Sequence, residues 1–110
     1  MNGEGLPRRG EVWWVRVDKR RPAVVIQTDA VRESRVRSFL VVPLTGRLHL
    51  AGLPGNVRLE KRATHLTKAS VANCYDVQKV LRSDFLEPLG LLPHEQLASL
   101  EADLRLVLDL

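Results

Sequence analysis

Up to about residue 90 this chain is a series of short apolar runs, each closed by Pro, Gly or a polar cluster, and only afterwards does a helical period appear. That pattern restricts the fold more than any other feature. Glu11-Val12-Trp13-Trp14-Val15-Arg16-Val17-Asp18 is rich in β-branched and aromatic residues and partly alternates, so it reads as a strand. Pro22-Ala23-Val24-Val25-Ile26-Gln27 is a short apolar run of the buried-strand type. Pro22 is expected at its first position, where a missing donor is tolerated. Phe39-Leu40-Val41-Val42-Pro43-Leu44 reads as a third strand, with Pro43 indicating an edge or a bulge near its end. Asp29 to Ser38, which contains Arg32, Arg35 and Arg37, is a connecting loop with room for one helical turn. Gly52-Leu53-Pro54-Gly55-Asn56 is a turn cluster, after which Val57 and Leu59 alternate with Arg58 and Glu60. Ser70–Asn73 and Val77–Leu81 are two further short strands. No connection before residue 90 looks like a crossover helix, so the sheet is expected to be mostly antiparallel.

The helix is read over 93–108. Pro93 suits a first helical position and Glu95 the positive end of the helix. Leu97, Leu100, Leu104, Val107 and Leu108 make one apolar stripe, with Glu101, Asp103 and Arg105 off it. The expected architecture is one domain over 1–110, mainly β, a small barrel with a C-terminal helix, and residues 1–8 are expected to be flexible.

Composition removes several classes of function. With 45% hydrophobic and 27% charged residues the sequence is that of an ordinary globular chain. Its longest apolar run falls far short of the ~20 residues of a membrane helix. Residues 1–5 lack the regions of a signal peptide, so a cytoplasmic protein without membrane attachment is expected. Cys74 is the sole cysteine, and His49, His65 and His94 are scattered. No metal site and no cofactor is therefore expected, and neither G-x-x-x-x-G-K-S/T nor G-x-G-x-x-G occurs. The net charge of +4 is unevenly spread: +5 over 8–37, +4 over 45–85 and −4 over 86–110. A basic body with an acidic end suggests a polyanionic partner.

The densest basic cluster is Lys19-Arg20-Arg21, between two strands. On charge alone it is equally a solvated turn that blunts an edge. Pro22 and the buried run behind it place Arg21 at the root of a strand, which favours phosphate binding. Thr45 closes the third run just before Gly46 and Arg47. Its hydroxyl can donate to a phosphate oxygen, and Gly46 lets backbone approach closely.

Arg9-Gly10-Glu11-Val12-Trp13-Trp14-Val15, Arg20-Arg21-Pro22-Ala23-Val24-Val25-Ile26-Gln27 and Val41-Val42-Pro43-Leu44-Thr45 together resemble the MazF/PemK toxin family. The similarity continues through Pro54-Gly55-Asn56-Val57, Ser70-Val71-Ala72-Asn73 and Gly90-Leu91-Leu92-Pro93, and spans residue 8 to about 108. The resemblance implies an SH3-like or CcdB-like barrel with a C-terminal helix, acting as a homodimer. It implies a toxin of a type II toxin–antitoxin system that cleaves single-stranded RNA (mRNA, with tRNA and rRNA as further targets) at short motifs without a metal. The products would carry 2′,3′-cyclic phosphate and 5′-hydroxyl ends. A cognate acidic antitoxin would block the RNA groove. The family's Arg and Thr map to Arg21 and Thr45.

That reaction suits these residues. The RNA 2′-hydroxyl attacks its own neighbouring phosphorus, so the protein need only align the backbone, stabilise phosphoryl charge and manage two protons. Arg21 offers a planar fork of donors. Whether it also acts as acid or base stays open, because its pKa lies above roughly 12. His49 titrates in the useful range but has no counterpart in the family motif. Arg20, Arg47 and Lys79 are candidate phosphate contacts, and Trp14 is a candidate base stacker. The sequence departs from the family pattern in two places. Only Lys19 and Arg20 separate Asp18 from Arg21, where a longer loop is usual. Tyr75-Asp76 stands where an acid–Gln or Ser–Gln pair is common. Asp76 would repel phosphate at the RNA-binding face unless it orients Arg21 or pairs with Lys79. Two other readings remain at this point: a CcdB-like toxin that binds gyrase without catalysis, and an RNA-binding module without turnover.

Overall fold

The computed structural model describes residues 5–110. Seven strands follow one another: β1 (Glu11–Arg16), β2 (Arg20–Val25), β3 (Ser38–Thr45), β4 (Asn56–Leu59), β5 (Ser70–Asn73), β6 (Gln78–Leu81) and β7 (Phe85–Leu91). A short helix, α1 (Lys61–Thr64), links β4 to β5, and α2 (His94–Leu108) ends the chain. Every strand pairing is antiparallel, in the order β4-β5-β3-β2-β1-β7, with β6 also on β3. The path is open at β4 and β7, so the sheet is SH3-like in its course without closing into a complete barrel.

The apolar runs of β1–β3 are continuous because both faces of these strands are covered. On one face Val12, Val24, Val42 and Leu44 pack with Leu59, Ala72, Cys74, Leu92, Leu100 and Leu104 beneath α2. On the other, Trp13, Val15, Ala23, Val25, Phe39 and Val41 pack with Val80 and Phe85. Phe85 receives both Trp13 and Phe39 edge-on, each with ring centroids 5.5 Å apart.

Both prolines sit deeper in the sheet than their missing N–H groups suggest. Pro22 is the third residue of β2, opposite Trp14 of β1, and it escapes a lost bond on its other edge because β3 reaches only as far as Ala23. β3 is central, not an edge. Pro43 lies where β3 changes neighbours, after β6 has paired Ser38–Val41 and before β5 pairs Leu44 and Thr45.

The sequence reading contained neither α1 nor β7. β7 pairs with β1 through two register shifts, opposite Val12/Trp13 and Trp14/Val15, so Pro88 and Gly90 interrupt any local alternation. At α2, Pro93 is the cap (ψ 149°) and not the first helical residue. Leu100 and Leu104 are buried, and Leu97 and Val107 half-buried, whereas Leu108 is 52% exposed. Glu101 is no solvated charge: its Oε2 accepts from Arg9 Nη2 at 2.6 Å, while Arg9 Nη1 donates to the Ile26 carbonyl. Residues 1–4 of the segment expected to be flexible lie outside the described residues. Residues 5–7 are held: Arg32 donates to the carbonyls of Leu6 and Pro7, Arg82 to that of Gly5, and Pro7 is buried.

Candidate functional site

Strand periodicity assembles the site. Side chains alternate between faces, so Arg21 of β2 and Pro43 and Thr45 of β3 share the face that carries Ala23, Val25 and Val41 further along. β6 pairs with β3 only over Ser38–Val41, and Pro43 and Thr45 lie beyond that ladder. There a cleft of about 320 Å³ is lined by Lys19, Arg21, Pro43, Leu44, Thr45, Arg47, Leu50, Asn73 and Asp76. Among the described residues its lining carries Lys19, Arg21 and Arg47 against Asp76, a charge balance that suits an anion.

The β1–β2 turn is short: Arg16 pairs with Arg20, and the Val17 N–H donates to the Lys19 carbonyl at 3.2 Å. It folds Asp18 back onto Arg21, whose Nε and Nη2 donate to the two carboxylate oxygens at 3.2 and 3.4 Å. The fork expected to face phosphate thus holds an internal carboxylate. Backbone hydrogen bonding at Asp18 and the Arg21 guanidinium hold this carboxyl below its ordinary value of 3.8, so it is ionised throughout the neutral range. Thr45 Oγ1 accepts from the Arg47 N–H at 3.3 Å, which leaves the hydroxyl proton available to a ligand.

The remaining candidates divide. Arg47 and Asp76 join the cleft. Asp76 neither orients Arg21 nor pairs with Lys79: both its oxygens accept from Gln78 Nε2, at 2.9 and 3.0 Å. The short Asp76-to-Gln78 span makes that local bond available without reaching across the cleft. Lys79 pairs with Leu40 in the β3–β6 ladder, exposed and away from the cleft lining. Arg20 does not line it either; its guanidinium lies 4.6 Å from the Trp14 ring centroid. His49 is exposed on a 3-10 turn and also stands outside the lining. Of the tryptophan pair, Trp13 is buried and Trp14 half-buried.

A second cleft of about 370 Å³ adjoins the first at Leu44 and Thr45, on the opposite face of β1–β3. Trp14, Pro22, His65, Lys68, Ser70 and Leu89 are among its walls. Asn73, His65, Lys68 and Ser70 carried no site signal in the sequence, because the α1 turn that presents His65 and Lys68 had no local signature. Among the described residues no three His, Cys, Asp or Glu side chains come together as a metal-binding group. No helix among them is long and apolar enough to cross a membrane.

The structure is thus a curled antiparallel sheet with a cationic cleft at the end of its first hairpin. The family described as "PemK-like, MazF-like toxin of type II toxin-antitoxin system" matches residues 8–108, and the chain belongs to it. It is 32% identical over 110 residues to the endoribonuclease MazF6 of Mycobacterium tuberculosis, covering 93% of this chain and 96% of that protein. Its fold superposes on the toxin of a crystal structure of MazE-MazF from Deinococcus radiodurans with TM-score 0.78 and 26% identity, over 97% of this chain and 99% of the other. Mycobacterium tuberculosis toxin MazF-mt6 has the same fold, with TM-score 0.80 at 24% identity, over 91% and 97% of the two chains.

Proposed function

We propose that this protein is the toxin of a type II pair and a metal-independent endoribonuclease that cuts single-stranded RNA at short motifs. One observation carries the reading: Arg21 and Thr45, 24 positions apart, line one cationic cleft at the end of a sheet face. The scissile phosphate displaces Asp18 from the Arg21 fork and receives the Thr45 hydroxyl, while Lys19 and Arg47 hold the neighbouring backbone. The 2′-hydroxyl gives its proton to water as it bonds to phosphorus, and the bond to the 5′ oxygen breaks as that oxygen takes a proton from water. A 2′,3′-cyclic phosphate and a 5′-hydroxyl result. Arg21 and Thr45 stabilise the charge that develops on the phosphoryl oxygens.

The chain works as a single 1–110 domain in the cytoplasm, as a homodimer, and a small acidic antitoxin occupies the same cleft by the same charge. The test is incubation of the purified protein with a long RNA (an mRNA, a tRNA and an rRNA in parallel) in EDTA, followed by mapping of the ends. Discrete cuts with cyclic-phosphate ends are expected, reduced roughly 100- to 1,000-fold by Arg21→Ala. Binding without cuts would leave an RNA-binding module. Gyrase inhibition without either would leave the CcdB-like alternative.

A further inference from the structure

The second cleft has features that the phosphate chemistry does not use. Ser70 is 4% exposed and its Oγ has no hydrogen-bond partner among the described residues, although it borders the cleft. A buried hydroxyl left unpaired is unfavourable unless something binds there to satisfy it. His65 closes α1 with φ 65° and ψ 19°, its N–H donating to the Lys61 carbonyl at 2.8 Å. Glycine is the residue suited to that left-handed position, so an imidazole there is retained at a conformational cost. Opposite it, β7 has Gly90. A Cβ at 90 would lie 2.4 Å from His65 Cδ2 and 2.6 Å from its Nε2, so the missing side chain makes the seat of the ring. Among the described residues no carboxylate lines this cleft, and Lys68 does.

We propose that this cleft is a nucleobase subsite, in which His65, seated on Gly90, stacks the base beside the cut and Ser70 determines which base it is. The inference rests on the RNA-cleavage reading of the adjoining cleft. The base packs its flat face against His65 and Trp14, and its polar edge takes the free Ser70 hydroxyl. The following phosphate meets Lys68. An apolar side chain of a protein partner fits the walls but leaves Ser70 unpaired, which favours the base.

The test uses the full chain with His65→Gly and Ser70→Ala. Glycine suits φ 65°, and alanine removes an unpaired hydroxyl, so neither variant is expected to melt below the wild type. Cleavage of a randomised RNA pool is sequenced for each. Both variants are expected to keep cutting: Ser70→Ala lowers discrimination at one position flanking the cut about 2- to 12-fold, the value of one hydrogen bond, and His65→Gly, which removes a sequence-tolerant stack, weakens cleavage about 5- to 150-fold. An unchanged motif in Ser70→Ala, or unchanged cleavage in His65→Gly, overturns the proposal. Weakened binding of an acidic antitoxin peptide with an unchanged motif overturns it too, and assigns the cleft to the partner. A second measurement is independent of cleavage: quenching of tryptophan fluorescence by dinucleoside monophosphates in the Arg21→Ala background. It is expected to vanish in His65→Gly. If wild-type protein cuts no RNA but this quenching is present and selective, the subsite stands and the nuclease reading falls; no quenching removes the subsite.

Discussion

Asp18→Asn should raise the affinity of the protein for RNA without slowing the chemistry. In the free protein the carboxylate engages Arg21 Nε and Nη2 at 3.2 and 3.4 Å, so a phosphate must displace it before it can use the same donors. Asparagine keeps the shape and an acceptor oxygen for the turn backbone, and it removes the charge. Asp18 is 71% exposed in its side chain and Arg21 34%, which places the pair among solvent-screened ion pairs. Such pairs correspond to factors of roughly 1.5 to 5 in an equilibrium, and KM for a short RNA should fall by that factor. The gain should shrink as salt rises from 0.1 to 1 M, where the screening length drops from about 10 to about 3 Å. The sign with pH follows from the depressed carboxyl. The Asp18–Arg21 pair is complete above the ordinary value of 3.8 and is lost as pH falls through its lower folded value, so the effect should be constant from pH 5 to 8. The assay is steady-state cleavage of a quenched fluorescent oligonucleotide, in a cycle with Arg21→Ala. An equal KM change in the Arg21→Ala background would show that Asp18 acts only as general charge. A fall in kcat at unchanged KM would make Asp18 a positioning group for Arg21 and refute the displacement argument.

Three further outcomes follow from the core. Leu100→Ala empties a fully buried position between α2 and the sheet and should cost about 2–5 kcal/mol in urea unfolding, a large share of the roughly 5–15 kcal/mol of a domain; a loss below 1 kcal/mol would mean that α2 is not docked as described. Cys74, 1% exposed, has its thiol pushed up to about 11 by burial and then by the Asp103 charge, so stability should decline as pH rises from about 9 to 11. The same thiol should resist Ellman's reagent at pH 8 until denaturant is added.

The sequence by itself determined whatever depends on near neighbours. β1, β2 and β3 were legible because β-branched and aromatic runs closed by turn residues have few alternatives. The stripe Leu97, Leu100 and Leu104 gave α2, and Arg21 and Thr45 stood out through the blocks around them. Tertiary structure decided what depends on partners remote in sequence. β7 is a strand because β1 supplies its hydrogen bonds, through two register shifts that Pro88 and Gly90 permit and that no local alternation can announce. Lys79 was left on an outer edge by its pairing with Leu40, 39 residues earlier, whereas Asp18 on the Arg21 fork and Asp76 on Gln78 are turn contacts between near neighbours. His65 shows the limit most directly. Nothing in its neighbours marks it, and only the left-handed turn after α1 and the missing side chain at Gly90, 25 residues later, bring its ring into a cleft beside Thr45. Strand and helix preferences are local free energies that a sequence window carries; a cleft is a meeting of distant segments, fixed only when the sheet is packed.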